Sequence, residues 1–235
     1  MSDRDLAQRG DAVKPKALLL HGGPPTHNPD LFAEFAEEFV LVDCEVTHAR
    51  TLDVFDPFFL SQFDLLIPIW MFDEISSDQE RALLNAVRDG LGLVSWHGAT
   101  SAFLNSRPHK HMLGGQFVAH PGGAETTYRV RFEPDQPLTA GLEDVVVTSE
   151  QYYMLLDPAI RPLAYTTIEG TGMEWLAGVE MPVAWTREWG QGRVFYCSLG
   201  HTLADLESHS VRTLFRRAAA WAARTPARPE PLPVR

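Results

Sequence analysis

Four short apolar runs in this chain each lead into a histidine: Leu18-Leu19-Leu20-His21, Leu93-Val94-Ser95-Trp96-His97, Phe117-Val118-Ala119-His120 and Phe195-Tyr196-Cys197-Ser198-Leu199-Gly200-His201. Runs that stay apolar at successive positions, rather than alternating, belong to strands covered on both faces. Such strands need helices above and below the sheet, which restricts the fold to the α/β class. In an open parallel sheet the carboxyl ends of the strands border the ligand crevice. The histidines would then meet in space although up to 180 positions separate them in sequence.

The segments between the runs carry helix signals. Asn28 followed by Pro29 reads as an N-cap with proline at the first helical position, and Leu31, Phe32, Phe35, Ala36 and Phe39 follow at helical spacing. Phe63 to Trp70 is another continuous apolar run. Ser77-Asp78-Gln79-Glu80 then has the capping-box pattern and leads a helix whose core face is Leu83, Leu84 and Val87. Gly90 ends that helix, and Leu91 to Trp96 returns to the sheet. This order predicts a three-layer, doubly wound, mainly parallel sheet.

An antiparallel extension is also expected. Tyr128-Arg129-Val130-Arg131-Phe132 alternates apolar with charged, as in a half-exposed strand. Pro182 to Arg187 and Arg193 to Ser198 flank a glycine-bearing loop and read as a hairpin. A last helix carries Val211, Leu214, Phe215, Ala218, Trp221 and Ala222 on one face. The expected division is a flexible leader over 1–15, a single domain over 16–224 and a proline-rich tail over 225–235.

The net charge of −11 argues against nucleic acid and anionic membranes as partners. No apolar stretch approaches the roughly 20 residues needed to span a bilayer. Met1 to Lys16 lacks the apolar core of a signal peptide, so a cytoplasmic location is expected. With only Cys44 and Cys197 there is neither a disulfide framework nor a cysteine metal motif, and Cys197 reads as a core residue.

His21-Gly22-Gly23 and His27 form the first site candidate, because glycines let a ligand approach backbone N–H groups beside a helix start. No G-x-G-x-x-G follows, so no nucleotide cofactor is indicated. Trp96-His97-Gly98-Ala99 has the form of a nucleophile elbow with histidine in the exposed position. Acyl chemistry through serine or cysteine is thereby disfavoured, while an acid/base or metal-ligand role stays open. His201 closes the last apolar run, and Asp205 could orient its turn. Glu150, beside Tyr152 and Tyr153, is the carboxylate best set for proton transfer. His48, His109 and His111 are expected to face solvent. Each candidate also has a structural reading, from an incidental turn histidine at His21 to an exposed carboxylate at Glu150. No H-E-x-x-H occurs, so a zinc site would have to be assembled across strands.

These pieces in this order resemble the ThuA-like (trehalose utilisation) family. The resemblance covers about Ala17 to Ala223. It rests on His21-Gly22-Gly23 with His27, Trp96-His97-Gly98-Ala99, Gly114-Gly115-Gln116-Phe117 with His120-Pro121, and Pro137-Leu138-Thr139-Ala140-Gly141-Leu142. It continues through Glu150-Gln151-Tyr152-Tyr153, Pro182-Val183-Ala184-Trp185-Thr186-Arg187, Gly190-Gln191-Gly192-Arg193-Val194-Phe195-Tyr196 and Leu199-Gly200-His201. The resemblance implies a fold of the flavodoxin-like or class I glutamine amidotransferase-like kind. Amidotransferases of that class use a Cys-His-Glu triad. His97 stands at the elbow where they carry cysteine, and His201 near the place of their histidine, so glutaminase chemistry is not implied.

The resemblance further implies carbohydrate metabolism on trehalose or a related disaccharide or keto-sugar, with a metal ion in some members. The leading expectation is a hydrolase or isomerase with His97, His201 and Glu150 as catalytic residues. His21, His27, Trp70, Trp96, His120, Tyr152 and Arg193 would bind the sugar, and His21, His97 and His201 could hold a divalent metal such as zinc. The alternative is an amidotransferase-like shell that binds a sugar or metabolite without turnover. The expected partner is a small sugar, and a homo-oligomer is left open.

Overall fold

In the computed structural model, which describes residues 14–224, the apolar runs Leu18–Leu20, Leu93–Trp96 and Phe195–Cys197 lie in one large sheet, whereas Phe117–Ala119, expected to be covered on both faces, lies outside it with Val118 exposed. The tail and all but the last two residues of the expected leader lie outside the described residues. In chain order the elements are β1 (Lys16–His21), α1 (Pro29–Phe35), β2 (Glu45–Ala49), α2 (Pro57–Leu60), β3 (Leu65–Ile69), α3 (Ser77–Arg88), β4 (Gly92–Trp96) and α4 (Arg107–Leu113). There follow β5 (Gly115–Ala119), β6 (Thr126–Phe132), β7 (Val145–Ser149), β8 (Tyr153–Leu156), β9 (Arg161–Thr167), β10 (Glu180–Trp189), β11 (Gly192–Cys197) and α5 (His209–Ala222).

The nine-stranded sheet runs β2-β1-β3-β4-β11-β10-β9-β6-β7, and β5 pairs with β8 as a separate ribbon. From β2 to β11 every pairing is parallel. From β11 to β7 every pairing is antiparallel. The expected mainly parallel sheet is therefore a mixed one. The tight β10–β11 connection, with Gly190 at φ +60°, reverses the chain, and strands beyond it can leave one face wet. β6 shows this, with Tyr128, Val130 and Phe132 buried and Arg129 and Arg131 exposed.

The parallel half is covered on both faces. Ala17 and Leu19 of β1 join one core with Phe32 and Phe35 of α1 and Leu214 and Phe215 of α5. Leu18 and Leu20 join the other with Leu83 and Val87 of α3 and Met112 and Leu113 of α4. No helix among the described residues is long and apolar enough to cross a membrane.

Two helix starts differ from expectation by their caps. The box on α3 is built by Ser76, not Ser77: its Oγ accepts from Gln79 N–H (3.2 Å), and the Gln79 side chain accepts from Ser76 N–H (2.9 Å). Asn28 makes no side-chain cap. It is left-handed (φ 42°) and donates its N–H to Pro25, closing the 3-10 turn Pro25–His27 just before Pro29. That turn positions His27.

Gly92 starts β4 directly beneath the last turn of α5. A Cβ there would overlap the Ala222 carbonyl and lie 2.6 Å from its carbon, backbone atoms that cannot swing aside. Gly92→Ala should therefore destabilise the protein by about 1–3 kcal/mol. A urea midpoint equal to wild type would show that α5 lifts freely.

Candidate functional site

β4 runs into a 3-10 turn, His97–Ser101, and its first residue is left-handed at φ 43°. A non-glycine residue rarely adopts that conformation, and here surrounding bonds hold it. Tyr196 donates its hydroxyl to the His97 carbonyl at 2.7 Å, and a Cβ on Gly98 would overlap the Met71 side chain. The elbow geometry expected from Trp96-His97-Gly98-Ala99 is present, with an imidazole at its tip.

The His97 ring is buried. Nδ1 faces the Ser198 carbonyl at 3.4 Å and Nε2 faces the Tyr152 hydroxyl at 3.2 Å. A carbonyl can only accept, so Nδ1 carries the hydrogen and Nε2 offers its lone pair. Glu150 Oε2 lies 3.6 Å from the same Nε2. The other carboxylate oxygen is 3.5 Å from His201 Nδ1 and 3.8 Å from His120 Nε2. One carboxylate is thus ringed by three histidines from three separate strand ends.

Buried Asp205 holds the last of these ends in place. Its carboxylate accepts from Gly200 N–H (3.3 Å), Thr202 N–H (3.1 Å) and the hydroxyls of Thr202 (3.2 Å) and Ser149 (2.6 Å). Ser149 precedes Glu150, so the same side chain ties the glutamate to the His201 turn.

His27 completes the group. The ring centroids of His27, His97 and His201 lie 5.1–5.4 Å apart, and one ligand nitrogen from each falls within 4.8 Å of the others. Burial pushes the His97 pKa down to about 3, helped by the neighbouring His27 and His201 rings. Burial also lowers His27, again with His201 contributing. With His27 and His97 held toward the neutral form, the three imidazoles form a donor set that fits a divalent cation such as zinc.

Of the residues singled out in the sequence, His27, His97, His120, Glu150, Tyr152 and His201 are brought together. Trp70 and Trp96 line a narrow cleft with His27, His97 and Gly200. His21 is placed elsewhere. Along β1 its side chain follows Ala17 and Leu19 toward α1, where Nδ1 meets Asp30 (2.9 Å) and Nε2 meets His48 (3.1 Å). The third histidine of the cluster is therefore His27, not His21. Arg193 also lies away from the cleft: it sits at the amino end of β11 and donates to the Trp221 carbonyl at 2.6 Å. His109 is buried rather than solvent-facing, whereas His48 and His111 are exposed.

A second cleft, about 850 Å3 of space open to solvent, shares His27 and Met71 with the first. Glu150, Tyr152, His120 and Phe117 line it, together with Gln116 and Lys110. Lys110 went unrecognised because a lysine in Arg107-Pro108-His109-Lys110-His111 carries no periodic or motif signal.

The family model for ThuA, described as trehalose utilisation, matches residues 16–222. No curated protein matches the chain. Among solved structures, a ThuA-like protein from Parabacteroides merdae aligns with TM-score 0.72 at 20% identity, over 89% of this chain and 90% of its own. A ThuA-like protein from Bacteroides uniformis aligns with TM-score 0.72 at 17% identity, over 92% and 94%. A cold-adapted β-galactosidase from Rahnella sp. R3 shares the fold over 89% of this chain but 31% of its own, with TM-score 0.61 and 17% identity.

The buried His97 gives the fold a defined acid sensitivity. In the unfolded chain it titrates near 6.5, and in the folded protein only at about 3. Between those values unfolding takes up a proton, so stability should fall as pH drops from 6.5, by up to about 1.4 kcal/mol per unit from this ring. Urea titrations at about pH 7 and about pH 5 should show a smaller loss in His97→Gln than in wild type. Equal losses would mean that the folded ring protonates without penalty.

Proposed function

The chain belongs to the ThuA family, described as trehalose utilisation, and from that membership and the site geometry we propose that it is a sugar-active hydrolase or isomerase. Its substrate would be trehalose or a related disaccharide or keto-sugar. The observation that carries this reading is the convergence of His97, His120 and His201 on Glu150 at the mouth of an aromatic-lined cleft.

Sugars offer apolar ring faces and many weakly acidic hydroxyls, so an enzyme needs flat aromatic surface and groups that move protons. Phe117 and Tyr152 supply the surface beside Glu150, and Trp70 and Trp96 line the inner cleft. Glu150 is placed to give or take a proton at a bound hydroxyl. His97, neutral, has one lone pair, on Nε2, which would accept a proton in the metal-free site and serve as the ligand in the metal-bound one. The Tyr152 hydroxyl lies 3.2 Å from that lone pair and can hold it until substrate arrives. A neutral-sugar binder without turnover has little use for so many titratable groups in one place, which favours an enzyme.

His27, His97 and His201 would hold a divalent metal, replacing the set with His21 that the sequence pointed to. A bound zinc ion would act as a Lewis acid on a sugar oxygen. A cytoplasmic setting agrees with the two unpaired cysteines.

Calorimetric titration of chelator-stripped protein with zinc should give one site. His27→Ala, His97→Ala and His201→Ala should each weaken it by more than about 100-fold, whereas His21→Ala should leave it within about threefold. Equal affinity in all four would remove the metal from the reading. With trehalose and its keto derivatives as substrates, His97→Ala and Glu150→Gln should lower product formation by at least about 100-fold. Sugar binding by wild type with no product would leave a binding protein.

A further inference from the structure

We propose that the cleft beside Glu150 contains an anion subsite centred on Lys110, and that the substrate is a sugar acid whose carboxylate sits on this ammonium. The proposal rests on the sugar-active reading above and moves its substrate from a neutral disaccharide to an oxidised, acidic sugar. Lys110 lies on α4 and lines the same cleft as Glu150, Tyr152 and Gln116. Its Nζ donates to the carbonyl of Ala102, the residue that ends the His97 elbow turn. An ammonium has three donors, so this one bond leaves capacity for a ligand.

The half-buried ammonium has no acidic partner. Among the described residues no carboxylate lies within ion-pair distance of Lys110, and desolvation lowers its pKa to about 8 with no opposing contribution from a carboxylate. Partly burying a charge without a counter-charge is unfavourable, and a ligand anion would relieve it. Lys110 and Glu150 both line the cleft, so a ligand anion is favoured only at the Lys110 end of it.

The lining decides between kinds of anion. No arginine lines the cleft, and the amide and hydroxyl donors that line it with Lys110, in Thr100, Ser101, Gln116 and Tyr152, are neutral. A single ammonium with neutral donors suits a monoanionic carboxylate. A phosphate dianion is better matched by several cations or a bidentate guanidinium, and Glu150 would repel it more than a monoanion. Lys110 thus stands to one side of the proton-transfer group, where it would fix the substrate's orientation.

The test is calorimetry on the zinc-loaded full chain with three probes: glucuronate, neutral methyl glucoside and glucose 6-phosphate. Wild type should bind glucuronate at least about tenfold tighter than either other probe, the worth of one charge-assisted contact. Lys110→Met keeps the apolar stem and should abolish that preference without changing zinc affinity, while Lys110→Arg should restore most of it. A lysine that only caps the elbow turn would lower the melting temperature of Lys110→Met and leave the preference unchanged, which overturns the proposal. Equal or tighter binding of the neutral or phosphorylated sugar by wild type, a comparison that needs no variant, also overturns it. If zinc binding is intact in that case, the histidine site stands and only the anion subsite falls. If wild type binds no zinc yet keeps the acid preference, the subsite stands and the metal reading beneath it falls.

Discussion

The need to cover both faces of β1, β3, β4 and β11 shapes everything else in this molecule. Their side chains enter two separate cores, one under α1 and α5 and one under α3 and α4. Polar chemistry is thereby excluded from the strand interiors and collects at the strand ends. Parallel pairing brings those ends to one edge of the sheet, so β4 and β11 deliver His97 and His201 to the same crevice. The antiparallel half has no such restriction, and the alternating pattern of β6 is its signature.

Burial then sets the electrostatics of the crevice. His97 is kept neutral by desolvation and by two neighbouring rings that oppose a second charge. Its Nδ1–H is committed to the Ser198 carbonyl, which turns the Nε2 lone pair toward Tyr152 and Glu150. The left-handed backbone of His97 is strained, and the Tyr196 hydroxyl on its carbonyl helps to hold it. A site built this way is preorganised: its tautomer and orientation are set before any ligand enters.

The long-range ties are as important as the strands. Asp205 gathers donors from Ser149, Gly200 and Thr202, locking the glutamate-bearing segment after β7 to the turn after β11. From one sequence, Asp205 could be read as orienting its local turn. Its bond to Ser149, 56 positions away, could not be read there. Lys110 and His109 were hidden for a related reason. Neither lies in a repeat or motif, and whether a polar side chain on a short helix meets solvent or a cleft depends on what packs over it.

By itself the sequence determined the α/β class, the central strands, the α3 and α5 faces, and the places where strand ends would bring histidines and an elbow. These are local matters, set by hydrophobic periodicity and by the turn chemistry of glycine and proline. It did not determine the balance of the sheet, which turned out mixed, nor which of His21 and His27 joins His97 and His201. The first depends on pairing partners distant in the chain. The second depends on the pleat of β1, which turns His21 toward Asp30, and on the 3-10 turn closed at Asn28, which brings His27 back. Only the tertiary structure decides such cases, because neighbouring positions in a turn or strand can face opposite sides of a sheet.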